Sequence, residues 1–248
     1  RIPLRASVAY VPKTYRCFVY TAPGLEKYLA AELSRFCFRA LTATKEGCEL
    51  GNISEHDLWK VCSSSRLASG VRVRLGAPKE TSKFNVFDRH IRTLPWEYFL
   101  PLYAPDRKIK VRVEATCHNS KLFHSTAVSD RIRGFLEKKK MIPPLETMPK
   151  EEQILREVGI RPQSQKDKEP SVPLSIHARI VDNISQISID VGGDLLSRRG
   201  YRTHVTEAPI RENIAAACLD AIEYSGQPLW DPFCGSGTLV CEALLRYL

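Results

Sequence analysis

No run of about 18 apolar residues occurs in the 248-residue sequence, so no segment is long and apolar enough to cross a membrane as a helix. The first residues lack the apolar stretch of a secretory signal. No C-x-x-C pair exists among the eight cysteines (Cys17, Cys37, Cys48, Cys62, Cys117, Cys218, Cys234, Cys241), and none lies near histidine at zinc spacing. That argues against a structural zinc site, and no metal is predicted. Several cysteines sit among apolar neighbours, as in "YRCFVY" and "AAACLD". Buried free thiols in an intracellular, reducing compartment fit best. Acids are missing before Glu26, and lysine is missing after residue 191. Residues 1–14 have the composition of a transit-peptide tail and equally of a linker cut from a longer protein. The first residue is Arg, so upstream sequence is expected.

What is present is a basic chain of ordinary globular composition: 37 Lys and Arg against 28 Asp and Glu, with 43% hydrophobic residues. The charge is uneven. Residues 192–248 hold five Arg and seven acids, a net −2, so the preceding 191 residues carry +11. A basic N-terminal part points to a polyanion partner, against the plainer reading of a solvated surface.

Periodicity predicts strands at 15–21, 39–44, 47–50 and 70–75, and helices over 23–36 and from Ser54, where Asp57 suits the positive helix end. A helix from Phe84 is interrupted at Pro95. "KIKVRVEA" (108–115) alternates as a strand with one apolar and one strongly basic face. A helix over 121–140 turns Ala127, Ile132, Phe135 and Leu136 inward, and Arg131, Arg133 and Lys138–Lys140 outward. Residues 140–173 read as a surface loop with one short helix near 150–158. "LSIHARIV" and "ISQISIDV", joined by Asp-Asn, read as a hairpin. At the end, helix ("APIRENIAAACLDAIEY"), short strand ("PLWD"), turn ("PFCGSG") and helix ("TLVCEALLRYL") follow in the order that opens a parallel α/β sheet.

"WDPFCGSGT" carries the chemistry. It lacks the Lys of a Walker loop, and Val240 stands where a dinucleotide fingerprint needs its third glycine. What remains is an acid at a strand end and two glycines that let backbone approach a ligand without phosphate, such as S-adenosylmethionine (SAM). A plain tight turn is the alternative.

The string resembles motif I of class I methyltransferases. "GLEKYLAAEL", "SSSRLAS", "LPWEYF", "LLSRRGYR" and "EAPIRENIAAA" precede it in the order seen in bacterial 23S ribosomal RNA guanine-N2-methyltransferases that carry a THUMP domain. The resemblance implies a fold of an α+β N-terminal part, ferredoxin-like plus THUMP, followed by the start of an α/β Rossmann-like methyltransferase domain. The implied division is an extension at 1–14, a ferredoxin-like domain at 15–53, a THUMP RNA-binding domain at 54–191 and an incomplete methyltransferase domain from 192 to 248.

It implies SAM as cofactor, held by Asp231, Pro232, Cys234, Gly235, Gly237 and Thr238, with Pro209 and Asn213 alongside. It also implies RNA, ribosomal in kind, as partner. The candidates for RNA are Lys108, Lys110, Arg112, Lys121, Arg131, Arg133, Arg198, Arg199 and Arg202, each with a plain surface role as the alternative. "RRGYR" could instead pin its linker to the methyltransferase domain, and His118 and His124 read as surface or packing residues. The family's catalytic Asn-Pro-Pro-Tyr is not in the sequence, so no catalytic residue is assigned, and this chain by itself is expected to be inactive. The alternative from another class is a stand-alone THUMP RNA-binding module with a vestigial methyltransferase tail.

Overall fold

The computed structural model describes residues 14–36, 38, 40–100, 111–142, 174–193, 195–201 and 209–246. Its strands are β1 (Tyr15–Tyr20), β2 (Ala40–Thr44), β3 (Gly47–Ile53), β4 (Gly70–Arg74), β5 (Lys79–Glu80), β6 (Val111–His118), β7 (Leu174–Val181) and β8 (Ile184–Asp190). Its helices are α1 (Glu26–Arg35), α2 (Glu55–Ser64), α3 (Phe84–Arg92), α4 (Trp96–Phe99), α5 (Ser125–Lys138), α6 (Glu212–Ala221) and α7 (Thr238–Leu245). Two compact units form: Arg1–Arg74 with Asp190–Leu248, and Leu75–Ile189.

The first unit begins as β1-α1-β2-β3-α2-β4, with strands in the order β2-β3-β1-β4 and every neighbouring pair antiparallel. Apolar residues alternate inward along the strands, and Cys17, Val19, Leu50, Val71 and Val73 are buried with Leu29 and Leu33 of α1 and Val61 of α2. The Ser54 signal works reciprocally. The Ser54 hydroxyl accepts from the Asp57 N–H (3.1 Å), and the Asp57 carboxylate accepts from the Ser54 N–H (3.0 Å). These bonds hold the Asp57 carboxyl below its usual range. The expected boundary between residues 53 and 54 falls inside this unit, because α2 and β4 complete the sheet and its helix layer.

In the second unit β6 pairs parallel with β7, β7 antiparallel with β8, and β5 antiparallel with β8. The β7–β8 hairpin turns at Asp182 (φ 51°) and Asn183 (φ 64°), two left-handed residues whose twist matches the flanking strands. Phe87, Ile91, Trp96, Val128, Ile132, Leu136, Ile176 and Ile187 lie in its core. Along α5 the inward face is Val128, Ile132 and Leu136, while Ala127 and Phe135 are only half-buried.

Two expectations need correction. No strand forms at 228–231: a strand exists only where its backbone N–H and C=O groups find a neighbour, and no described strand pairs with these residues. Cys218 of "AAACLD" is exposed, because it points away from the buried Ala215, Ala216 and Leu219 of α6. Cys17 is buried as expected, Cys48 is buried too, and burial pushes their thiols up to about 12 and about 11. The expected helix at 150–158 and residues 1–13 lie outside the described residues.

Candidate cofactor site and basic face

The glycine turn at 231–237 is shaped by its own backbone. The Asp231 carboxylate accepts from the Phe233 N–H (3.2 Å), and the Gly237 N–H donates to the Cys234 carbonyl (2.7 Å). Gly235 (φ 52°) and Gly237 (φ 71°) both occupy the left-handed region, which glycine alone enters without cost. A Cβ on Gly237 would meet nothing within 4 Å, so the glycine serves conformation and leaves open space above the turn. α7 starts directly after it. Its dipole presents a positive end there. Thr238 is buried at this start, whereas Pro232 and Cys234 are exposed. Trp230 and Phe233, on either side of Asp231, stand 85% and 93% exposed.

α6 packs against α7. Pro209 lies half-buried before it. Asn213 on α6 is buried, and its side-chain amide donates to the Ser69 hydroxyl (3.1 Å). Its Oδ1 finds no hydrogen-bond partner among the described residues.

Behind the turn lies a charged cluster that the sequence did not announce. Glu242, on α7, is completely buried. One carboxylate oxygen accepts from the Arg66 guanidinium (2.7 Å) and from Arg199 (2.9 Å), and the other accepts from the Tyr201 hydroxyl (2.9 Å). Arg66 also donates to the Glu242 carbonyl. Burial and the bond to Glu242 raise the Tyr201 phenol above its usual range. Arg66 is held in turn by Glu32 of α1. That buried carboxylate accepts from the Ser65 hydroxyl (2.5 Å) and from the Arg66 N–H (2.7 Å), and burial outweighs these bonds and raises its carboxyl. The cluster therefore joins four of the sequence segments singled out above: "GLEKYLAAEL", "SSSRLAS", "LLSRRGYR" and the motif I helix. An acid inside the apolar run "TLVCEALL" was the available signal, since a buried charge demands a partner.

Among the basic candidates, Arg199 spends its guanidinium on Glu242 and the Arg66 carbonyl instead of facing solvent. Arg198 is exposed. Arg112 is exposed but lies 3.6 Å from Glu114, Arg131 pairs with Asp88 (2.6 Å), and Arg133 donates to the Val111 carbonyl (2.9 Å) near Glu137. Lys121 is exposed. The outer face of β6 presents Arg112, Glu114, Thr116 and His118. Lys108, Lys110 and Arg202 lie outside the described residues. His118 and His124 are both exposed.

Comparison with known proteins places this geometry. Residues 199–247 match the family model described as UPF0020: RMKL-like, methyltransferase domain. The ribosomal RNA large subunit methyltransferase K/L of Magnetococcus marinus is 31% identical over 245 residues, 93% of this chain and 29% of that protein. The K/L enzyme of Methylococcus capsulatus is 31% identical over 236 residues, again 93% of this chain and 29% of its own length. A possible methylase from Clostridium difficile 630 has a solved structure with TM-score 0.70 and 25% identity, covering 94% of this chain and 56% of that one. The solved structure described as "SMU.472, a putative methyltransferase complexed with SAH" matches at TM-score 0.69 with 24% identity, 94% of this chain and 56% of that one. The chain thus spans about 30% of the length of these K/L relatives. Along nearly its whole length the sequence is similar to that of ribosomal RNA methyltransferases, and residues 199–247 carry an RMKL-like methyltransferase-domain pattern.

Proposed function

We propose that the chain is the RNA-holding and cofactor-side part of a SAM-dependent ribosomal RNA methyltransferase acting on a guanine N2 amine. The observation that carries the reading is the 231–238 turn: two left-handed glycines, a carboxylate at the turn's entry and a helix N-terminus, inside the segment that matches the methyltransferase model. The names of the K/L relatives support the ribosomal RNA target, and the SAH bound in a structural relative supports the cofactor.

The residues fit that cofactor. Asp231 offers a carboxylate acceptor, Gly235 and Gly237 let the ligand reach the backbone, and the start of α7 at Thr238 gives a methionine carboxylate a positive dipole end. Pro232 and Cys234 shape the turn, and Pro209 and Asn213 border it from the α6 side. When bound, SAM supplies an electrophilic methyl group. This chain's residues hold and orient the donor, which counts most when the acceptor is a weakly nucleophilic amine and catalysis is mainly positioning. No catalytic residue is assigned.

In this reading residues 15–74 form the ferredoxin-like domain, on the strength of their βαββαβ order. Residues 75–189 are the body of the THUMP domain, and their excess of Lys and Arg faces RNA phosphates.

Gly237→Val tests the cofactor assignment. A β-branched residue at φ 71° is strained by roughly 1–2 kcal/mol, and its side chain would fill the open space above the turn. In a protein carrying these residues within a complete methyltransferase domain, calorimetry should show SAM affinity falling by at least about 10-fold. Unchanged affinity in a folded variant would remove the assignment.

A further inference from the structure

Phe123 is 67% exposed, yet it does not sit on a loose loop. Its neighbour Leu122 is buried in the core of the second unit. The segment from His118 to Lys121 is tied to the β7–β8 turn by a lattice of short bonds. Asp182 N–H donates to the His118 carbonyl (3.3 Å), Asn183 N–H to the Ser120 hydroxyl (3.0 Å) and Lys121 N–H to the Asn183 side-chain oxygen (2.8 Å). The Asn119 amide bonds the Asp182 carboxylate, and the Ser120 hydroxyl donates back to the His118 carbonyl (2.7 Å). Asn119, Asp182 and Asn183 all take positive φ to make this fit. A rigid frame therefore holds an aromatic ring out in water.

The ring is not alone. The His124 imidazole lies against it with centroids 4.0 Å apart and planes tilted 41°. Lys121 is exposed two residues before it. α5 begins at Ser125 with no side-chain cap and no acid in its first turn, so its positive end is unopposed locally. The second unit holds 20 Lys and Arg against 14 Asp and Glu. An exposed pair of contacting aromatic rings with an exposed lysine two residues before it, on a basic unit, matches the chemistry of an unpaired nucleotide: the base stacks on the ring and its phosphate meets the ammonium.

We propose that Phe123 and His124 form a stacking platform for an unpaired RNA base, with Lys121 holding the adjacent phosphate. The inference rests on the RNA-binding reading above and deepens it. It names the contact and makes it selective for single strands, because a paired base within a duplex offers no free face to a side chain.

The test uses the whole chain and two probes: a 12-nucleotide single-stranded RNA containing 2-aminopurine, and the same strand in a blunt duplex. The parent should bind the single strand more tightly and change the 2-aminopurine fluorescence as the base stacks. Phe123→Ala should weaken single-strand binding by about 5- to 150-fold, the range of one lost base–aromatic stack, with the slope of affinity against salt unchanged. Phe123→Trp should retain it. Lys121→Ala should reduce the salt slope by about one. Equal single-strand affinity of Phe123→Ala and parent overturns the platform while leaving the RNA reading intact. A parent that binds neither probe at low salt overturns the RNA reading and the platform with it. A concentration-dependent dimer in sedimentation that Phe123→Ala abolishes, with RNA affinity unaltered, assigns the ring to a protein contact and also overturns the proposal.

Discussion

Glu242→Ala is expected to lower the melting temperature by about 6–20 °C. The carboxylate is completely buried, and its two guanidinium partners keep only 20% and 17% of their side-chain surface in water. Removing it strands two mostly buried positive charges, and breaking a buried pair from one side costs about 3–5 kcal/mol. For a chain of this size each kcal/mol moves the midpoint by roughly 2–4 °C. Tyr201 loses its acceptor as well. Glu242→Gln keeps the shape and an acceptor for Tyr201 but not the charge, so its loss should be smaller. Arg199→Met should also cost less than Glu242→Ala, because Arg66 still neutralises the carboxylate. Thermal unfolding followed by circular dichroism ranks the three. A Glu242→Ala midpoint within about 1 °C of the parent would show that the cluster contributes nothing net, as many ion pairs do.

Trp96→Ala should destabilise the second unit by about 3–5 kcal/mol, the usual cost of emptying a large aromatic site. Trp96 is only 2% exposed and packs in the core with Phe87, Ile91 and Leu100. Its indole N–H donates to the Ile91 carbonyl (2.6 Å), which ties α4 to the end of α3 across the break at Pro95. Trp96→Phe retains most of the volume but leaves that carbonyl without its donor, so about 1–3 kcal/mol should be lost. Hydrogen exchange of the β6, β7 and β8 amides in urea reads the effect directly. If Trp96→Ala left their protection at the parent level, the indole would not be a cornerstone of this core.

Local structure was legible in the sequence because its causes are local. The Ser54–Asp57 spacing, the Asp182-Asn183 turn and the alternation of β1, β4 and β7 each act over a few residues, and each produced its element. The glycines of "CGSGT" foretold their left-handed turn for the same reason. "PLWD" shows the limit: its composition suits a strand, but a strand is a property of a pair, and residues 228–231 have no described neighbour. The role of Arg199 was hidden likewise. As one basic residue in "RRGYR" it could face RNA or anchor a linker, and only its approach to a carboxylate 43 positions away decides in favour of Glu242. The Arg66–Glu242 contact spans 176 positions, far beyond any periodicity. Of the basic face expected over 108–115, the described part holds Arg112 with Glu114 two residues on, the same side that strand alternation assigns to both.

The first unit is discontinuous: it breaks off at Arg74 and resumes at Asp190. On a ribosome this becomes a matter of time. Arg66 emerges 176 residues before Glu242, and at about 5–20 residues per second its guanidinium waits on the order of 10–35 seconds for the carboxylate that neutralises it. During that interval β1 to β4 can pair among themselves and the intervening unit can fold, while the seat for α7 stays open. Docking of the glycine turn's supporting helix onto Arg66 therefore has to wait for the synthesis of residues 75–189. Slowing synthesis across residues 75–189 should lengthen the exposure of that half-built seat.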